Sequence, residues 1–230
     1  SSEAGWLRAA GARVVVSDAT PFALRAARAA GIYSVLITNF SWTAIYQHLL
    51  ENSAPGPRER AWAQAIVNEL QNDYQQGDEL WVPGMDVPFT ALARRWDAPI
   101  IARRGRNRRE ELCRAAGLDP ARPVYSVYVG ADGLAGTHWD RLAALAPAQF
   151  VSFAPPAGAE GLIATLPAGF AHCDVPARVD GAFAKAGYGT CADRIAAATP
   201  LLGAPRPQFA EFTALRATMD RWGGGALMSH

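Results

Sequence analysis

Short apolar runs alternate with amphipathic stretches along most of this chain. Arg13-Val14-Val15-Val16-Ser17-Asp18 and Ser34-Val35-Leu36-Ile37-Thr38-Asn39 are apolar runs ending in polar residues. That is the pattern of strands buried in a parallel sheet. Phe22 to Ala30, between them, has helical periodicity; Pro21 suits a first helical turn and Gly31 a stop. Strand, helix and strand within roughly thirty residues predict a βαβ unit, and so a parallel pair with a right-handed crossover. A helix over Ala4–Ala10 precedes it. Helices over Trp42–Leu50 and Arg58–Asp73 flank the breaker cluster Ala54-Pro55-Gly56-Pro57. Glu79–Pro83 reads as a short strand, Gly84–Asp97 as irregular and Ala98–Ala102 as extended.

A second alternating set follows the basic stretch Arg103–Arg109 and a helix over Glu110–Ala116. Strands are expected at Val124–Val129, Gln149–Phe153, Pro200–Ala204 and Ala226–Met228, with Asp180–Lys185 leading into Gly187. Helices are expected at Trp139–Leu145, Cys191–Ala198 and Phe209–Trp222. Two such sets predict an α/β protein of two Rossmann-like domains, residues 1–104 and 105–230, facing a cleft. The first set shows about three strands where a doubly wound sheet has about five or six. Its opening strands are therefore expected upstream of Ser1, in a chain that does not begin with Met and reads as a fragment.

Composition narrows the function. The 230 residues are 50% hydrophobic, enough for a packed core, and the formal net charge of +1 gives no basic face for nucleic acid. No run of about 18 apolar residues predicts a membrane span, and Ser1–Gly5 has no signal-peptide pattern. Cys113, Cys173 and Cys191 are too widely spaced for a zinc site and fit a reduced, cytoplasmic protein. Nothing in the sequence specifies an oligomeric state.

The sharpest local pattern is Gly187-Tyr188-Gly189-Thr190-Cys191-Ala192-Asp193. Its glycines permit a tight loop and close ligand approach, and Thr190 is a good N-cap for the next helix. A phosphate would meet free N–H groups there, with Asp193 in reach of ribose hydroxyls; the alternative is an ordinary Gly-rich helix start. Gly130-Ala131-Asp132-Gly133 is a second phosphate loop or a plain turn. Arg206 and Glu211 follow a strand and suit a phosphate and sugar hydroxyls, or are surface charges. The Arg103–Arg109 run reads first as a solvated linker, with Arg104 at the hinge as the member placed to meet an anion. Asn39, Ser41 and Trp42 end one strand and Asp18 another; these would line the same sheet edge, although Asp18 reads first as a helix cap and Trp42 equally as core. Of the histidines, His138 has the position for a pocket role. No G-x-S-x-G elbow, Walker loop or metal-ligand spacing occurs.

In order along the chain, several segments resemble one family. They are Val15-Val16-Ser17-Asp18 with Pro21, Gly31-Ile32-Tyr33-Ser34-Val35, Thr38-Asn39-Phe40-Ser41-Trp42, Pro99-Ile100-Ile101 with Arg103-Arg104, and Lys185-Ala186-Gly187-Tyr188-Gly189-Thr190, followed by Arg206, Phe209 and Glu211. The chain is similar to the glycosyltransferase-like domain of plant L-arabinokinases and to bacterial stand-alone relatives, glycosyltransferase-like proteins of the GT-B class. The resemblance implies transfer of a sugar from a nucleotide-diphosphate donor, a UDP- or dTDP-sugar, to an unknown acceptor hydroxyl without a metal or other cofactor. It places Gly187, Tyr188, Gly189 and Thr190 on the diphosphate, Asp193 on the ribose, and Glu211 and Arg206 near the donor sugar. The general base is expected upstream of Ser1. A nucleotide-sugar-binding regulatory module and a nucleotide-sugar epimerase of the same fold are the alternatives.

Overall fold

Val14–Asp18 (β1) and Tyr33–Ile37 (β2) pair in parallel, Val14 opposite Tyr33 and Asp18 opposite Ile37, with the helix Pro21–Ala30 (α2) as their crossover. The computed structural model describes residues 2–89, 92, 94–106, 108–130, 137–206 and 208–228. It divides into two compact units, Ser1–Ile100 with Pro207–Ala214, and Ile101–Arg206 with Leu215–His230.

In the first unit, the helix Ser2–Ala9 (α1) precedes β1, and α2 ends at Gly31, whose φ of 72° is a left-handed cap. The helix Trp42–Asn52 (α3) begins where Ser41 Oγ accepts the Ala44 N–H at 3.0 Å. The helix Pro57–Tyr74 (α4) has Pro57 in its first turn, and Glu59 accepts the Gly56 N–H at 3.0 Å. Glu79–Val82 (β3) and Arg95–Asp97 (β4) complete a parallel sheet of order β1-β2-β3-β4. Leu36 and Leu80 face each other across the β2–β3 pair and pack with Leu24 and Tyr74. The opposite face carries Val14, Val16, Tyr33, Trp81 and Trp96, all exposed. Burial on both sides, as the apolar runs predict, thus holds for one face only, the one that α2 covers.

Tyr74 fixes two loops of this unit. Its side chain is fully buried; the hydroxyl donates to the Ala19 carbonyl at 2.7 Å and accepts the Trp42 N–H at 3.0 Å. Burial pushes the phenol pKa up to about 12. Tyr74→Phe keeps the ring but strips both backbone groups of their partner, which should cost about 2 kcal/mol. Chemical denaturation would read this as a lower midpoint with unchanged slope; wild-type stability would mean that solvent satisfies both groups.

The second unit is a six-stranded parallel sheet: Val124–Tyr128 (β5), Gln149–Ser152 (β6), Ile163–Thr165 (β7), Gly181–Lys185 (β8), Leu201–Ala204 (β9) and Gly225–Leu227 (β10). The order is β10-β9-β8-β5-β6-β7. Arg109–Ala116 (α5), Tyr188–Ala197 (α6) and Phe212–Trp222 (α7) are its helices, α7 starting within the first unit's last segment. Both faces carry core: Leu112, Val124, Val151 and Val175 on one, Val127, Trp139, Phe150 and Ile163 on the other.

Several expectations are corrected here. β4 lies inside the stretch read as irregular, and β7 falls where no strand is expected; both are three-residue edge strands, β4 exposed throughout and β7 burying Ile163 alone. Trp139–Leu145 is a 3₁₀ helix, and Ala98–Ala102 joins no sheet. Residues 207–214 group with the first unit, where Glu211 Oε1 accepts from Asn39 Nδ2 at 2.7 Å.

The arginine run is no solvated linker. The Arg106 N–H donates to Asp174 at 2.9 Å, Arg108 bonds Glu111 and stacks 4.5 Å from the Phe170 ring, and Arg109 reaches Asp180 at 3.0 Å and the Arg178 carbonyl at 2.8 Å. Bonds from the Arg106 and Ala171 N–H groups hold the Asp174 carboxyl below the usual range.

Candidate functional site

Strand order locates the site. From β5 the chain runs outward through β6 and β7, then returns to the other side of β5 as β8. In open α/β sheets the crevice at such a reversal, at the carboxyl ends of the strands, is where ligands bind. Here those ends are Tyr128 on β5 and Lys185 on β8, and α6 begins three residues after Lys185. A cavity of about 410 Å³ opens there.

α6 starts earlier than Thr190. Gly187, extended at φ −141° and ψ 159°, is the N-cap, and its carbonyl accepts the Cys191 N–H at 3.0 Å. Thr190 is therefore in the first turn and is not the cap. The Gly189 and Thr190 N–H groups precede that first helical bond and point with the helix dipole. Neither Gly187 nor Gly189 has a positive φ, so neither is required by a turn. A Cβ at either would meet no atom within 4 Å, so the missing side chains leave open space beside the helix start.

The charges are concentrated on one side of neutral. Among the described residues, Arg103, Lys185, Arg194 and Arg206 line the cavity against a single carboxylate, Asp193. Asp193 is buried; its two oxygens accept the Arg103 N–H at 2.9 Å and the Arg103 guanidinium at 2.7 Å. That bond raises the Arg103 pKa above its ordinary value. Lys185 Nζ lies 5.4 Å from the Tyr128 ring. His172 packs on Phe153 at 4.2 Å and on Tyr128 at 5.4 Å, giving the cavity an aromatic wall.

Of the residues singled out from sequence, Gly187, Tyr188, Gly189, Thr190, Asp193 and Arg206 come together in this cavity. Gly130, at φ 85°, does not line it; a Cβ there would lie 3.4 Å from Nζ of Lys185, which does. Ala131, Asp132, Gly133 and His230 lie outside the described residues. Arg104 is exposed and does not line the cavity; its neighbour Arg103 does. Glu211 lies with Asn39 in the first unit. His138 is on the opposite face of the sheet, beside an apolar groove with Trp139 and Phe183, and His172 takes the pocket position.

The first-unit residues divide by role. Ser41 caps α3, and Asn39 bridges Glu211 and the Met85 carbonyl. Asp18 is exposed and caps nothing: Thr20 holds the N-cap position of α2. Trp42 is half-exposed, its ring edge-on to Phe40 at 5.4 Å. Ser41 also borders a second cavity of about 500 Å³, with Thr43, Gln47, His48 and Gln71.

Sequence reasoning missed Arg103, Ser126, Ser152, His172, Lys185 and Arg194. One of them carried a signal: Lys185 is the sole lysine in the chain and stands directly before the glycine motif. Among the described residues, no group of three or more His, Cys, Asp or Glu could hold a metal ion, and no helix is long and apolar enough to cross a membrane.

Solved structures share this architecture. UGT2 of Phytolacca americana matches with a TM-score of 0.64 at 12% identity over 100% of this chain and 66% of its own. The same protein complexed with UDP-2-fluoro-glucose and pterostilbene gives 0.62 at 13%, over 100% and 64%. Spinosyn forosaminyltransferase gives 0.62 at 15%, over 98% and 65%. The chain therefore shares its fold with these glycosyltransferases. No protein-family model matches it. In sequence it is 30% identical to L-arabinokinase of Arabidopsis thaliana over 235 positions, which cover 99% of this chain and 21% of that protein. The chain thus spans about a fifth of this relative and just under two thirds of those solved chains.

Proposed function

We propose that the second unit binds the nucleoside diphosphate of a sugar donor, a UDP- or dTDP-sugar, and that the protein serves glycosyl transfer to an acceptor hydroxyl. One observation carries the reading: Lys185 and Arg206 line the cavity beside the start of α6 at the reversal point of the sheet, where Asp193, the one carboxylate lining it among the described residues, is already paired with Arg103. A diphosphate satisfies that charge and takes the N–H groups of Gly189 and Thr190. Lys185 and Arg206 neutralise it from the strand ends, and the Phe153–His172 wall offers stacking to a base.

In transfer, the acceptor oxygen attacks the anomeric carbon in line as the diphosphate leaves, and a base takes the hydroxyl proton. The leaving diphosphate gains negative charge, which the helix start and the cations stabilise without help from a metal. The fold shared with a protein solved with UDP-2-fluoro-glucose supports this reading.

Thermal unfolding with UDP, dTDP and their sugars tests the claim. At one hundred times its Kd a ligand stabilises by about 2.7 kcal/mol, a readily measured rise in Tm. Unchanged melting across the panel removes the donor site. Binding of UDP-sugars without release of UDP, acceptors included, would make the chain a binding module instead.

A further inference from the structure

Arg194 is a buried cation that forms no ion pair among the described residues. It projects from α6 into the inner end of the cavity and is 5% exposed. Its Nη2 donates to Ser126 Oγ at 2.7 Å, whereas its Nη1 is buried and has no hydrogen-bond partner among the described residues. The neighbouring carboxylate, Asp193, is already taken by Arg103 through both oxygens. Desolvation pushes the Arg194 pKa down to about 10, so it remains charged at neutral pH. A buried guanidinium with an idle donor is costly unless something accepts from it.

What accepts is constrained by position and chemistry. Arg194 lies six residues beyond Tyr188, about 9 Å along the helix axis at 1.5 Å per residue. A phosphate on the Gly189 and Thr190 N–H groups sits at the helix start, whereas the Arg194 guanidinium is held on Ser126 of β5, and the nucleobase is the part of the same nucleotide that offers an acceptor edge there. Nη1 carries donors only, so it matches an edge of acceptors and opposes an amino group. Ser126 and the buried Ser152, also lining this end, add hydroxyls.

We propose that Arg194 selects the nucleobase: its Nη1 donates to a carbonyl oxygen of an oxo-base such as uracil or thymine, and disfavours the amino edge of adenine. This rests on the nucleotide reading above. Calorimetric titration of the intact chain with UDP, ADP and inorganic pyrophosphate tests both separately. The wild type should prefer UDP to ADP. Arg194→Met, which fills the space without charge, should weaken UDP about tenfold to a hundredfold and erase the preference, with pyrophosphate unaffected. Replacing a buried charge by an apolar side chain is commonly tolerated; should this variant not fold, Arg194→Lys, with a shorter reach and no fork, serves the same comparison. Equal losses for UDP and pyrophosphate would place Arg194 on the phosphates and overturn base selection. An unchanged UDP-to-ADP ratio would overturn it too. If the wild type bound pyrophosphate alone, base selection would fail while the anion site stood; binding of none of the three would remove the nucleotide reading itself.

Discussion

Gly105→Ala should lower the stability of this chain by about 3 kcal/mol, a drop in Tm of roughly 10 °C for a protein of this size. A Cβ at Gly105 would sit 1.9 Å from the Cys173 carbonyl oxygen and 2.5 Å from Asp174 Cα. Both obstacles are backbone, so no side chain can rotate away. Residues 172–174 form a short 3₁₀ turn held by bonds from Arg106 and Ala171 to Asp174. Moving that turn breaks those bonds and shifts His172 and Val175, which line the cavity. Nucleotide affinity should therefore fall together with stability. Gly5→Ala is the control: Gly5 is inside α1 with nothing within 4 Å, so alanine there should leave Tm unchanged or raise it. Wild-type melting of Gly105→Ala would show that the 172–174 turn does not lie against this backbone.

Lys185→Met should weaken UDP binding about tenfold to a hundredfold, the worth of a hydrogen bond to a charged group, with little effect on Tm. Lys185 ends β8 on the cavity rim, and its ammonium has the Tyr128 ring face as a neighbour. A cation–π contact of that kind contributes about 0.5–1 kcal/mol at an exposed site, so losing it perturbs folding little. Affinity of the wild type should also fall as salt is added, and that slope should flatten in the variant. Titrations at two ionic strengths read both effects. Equal affinity and equal salt dependence in the two proteins would move the diphosphate away from β8.

Much of the scaffold was legible before any coordinates. β1, β2 and β5 announce themselves as apolar runs, and α2 by Pro21 at its start and Gly31 at its stop, because each signal acts within a few residues. α6 was misjudged by three residues since glycines argue against helix, yet here Gly189 lies within the first turn. Arg103 rather than Arg104, and His172 rather than His138, face the cavity. For the arginines, a shift of one residue in extended chain reverses the side a group points to; the two histidines sit on segments that line different cavities, and no local pattern records either choice.

The sequence by itself determined the α/β alternation, the parallel strands and the motif at residues 187–190, all from contacts close along the chain. Only the tertiary structure decided which strand ends meet. Placing β8 beside β5 brings Lys185 to Tyr128 and turns a glycine-rich helix start into one wall of a cationic cavity. It likewise decided that Asp193 is spent on Arg103 while Arg194 keeps an idle donor, since partners ninety residues apart are chosen by packing and not by propensity.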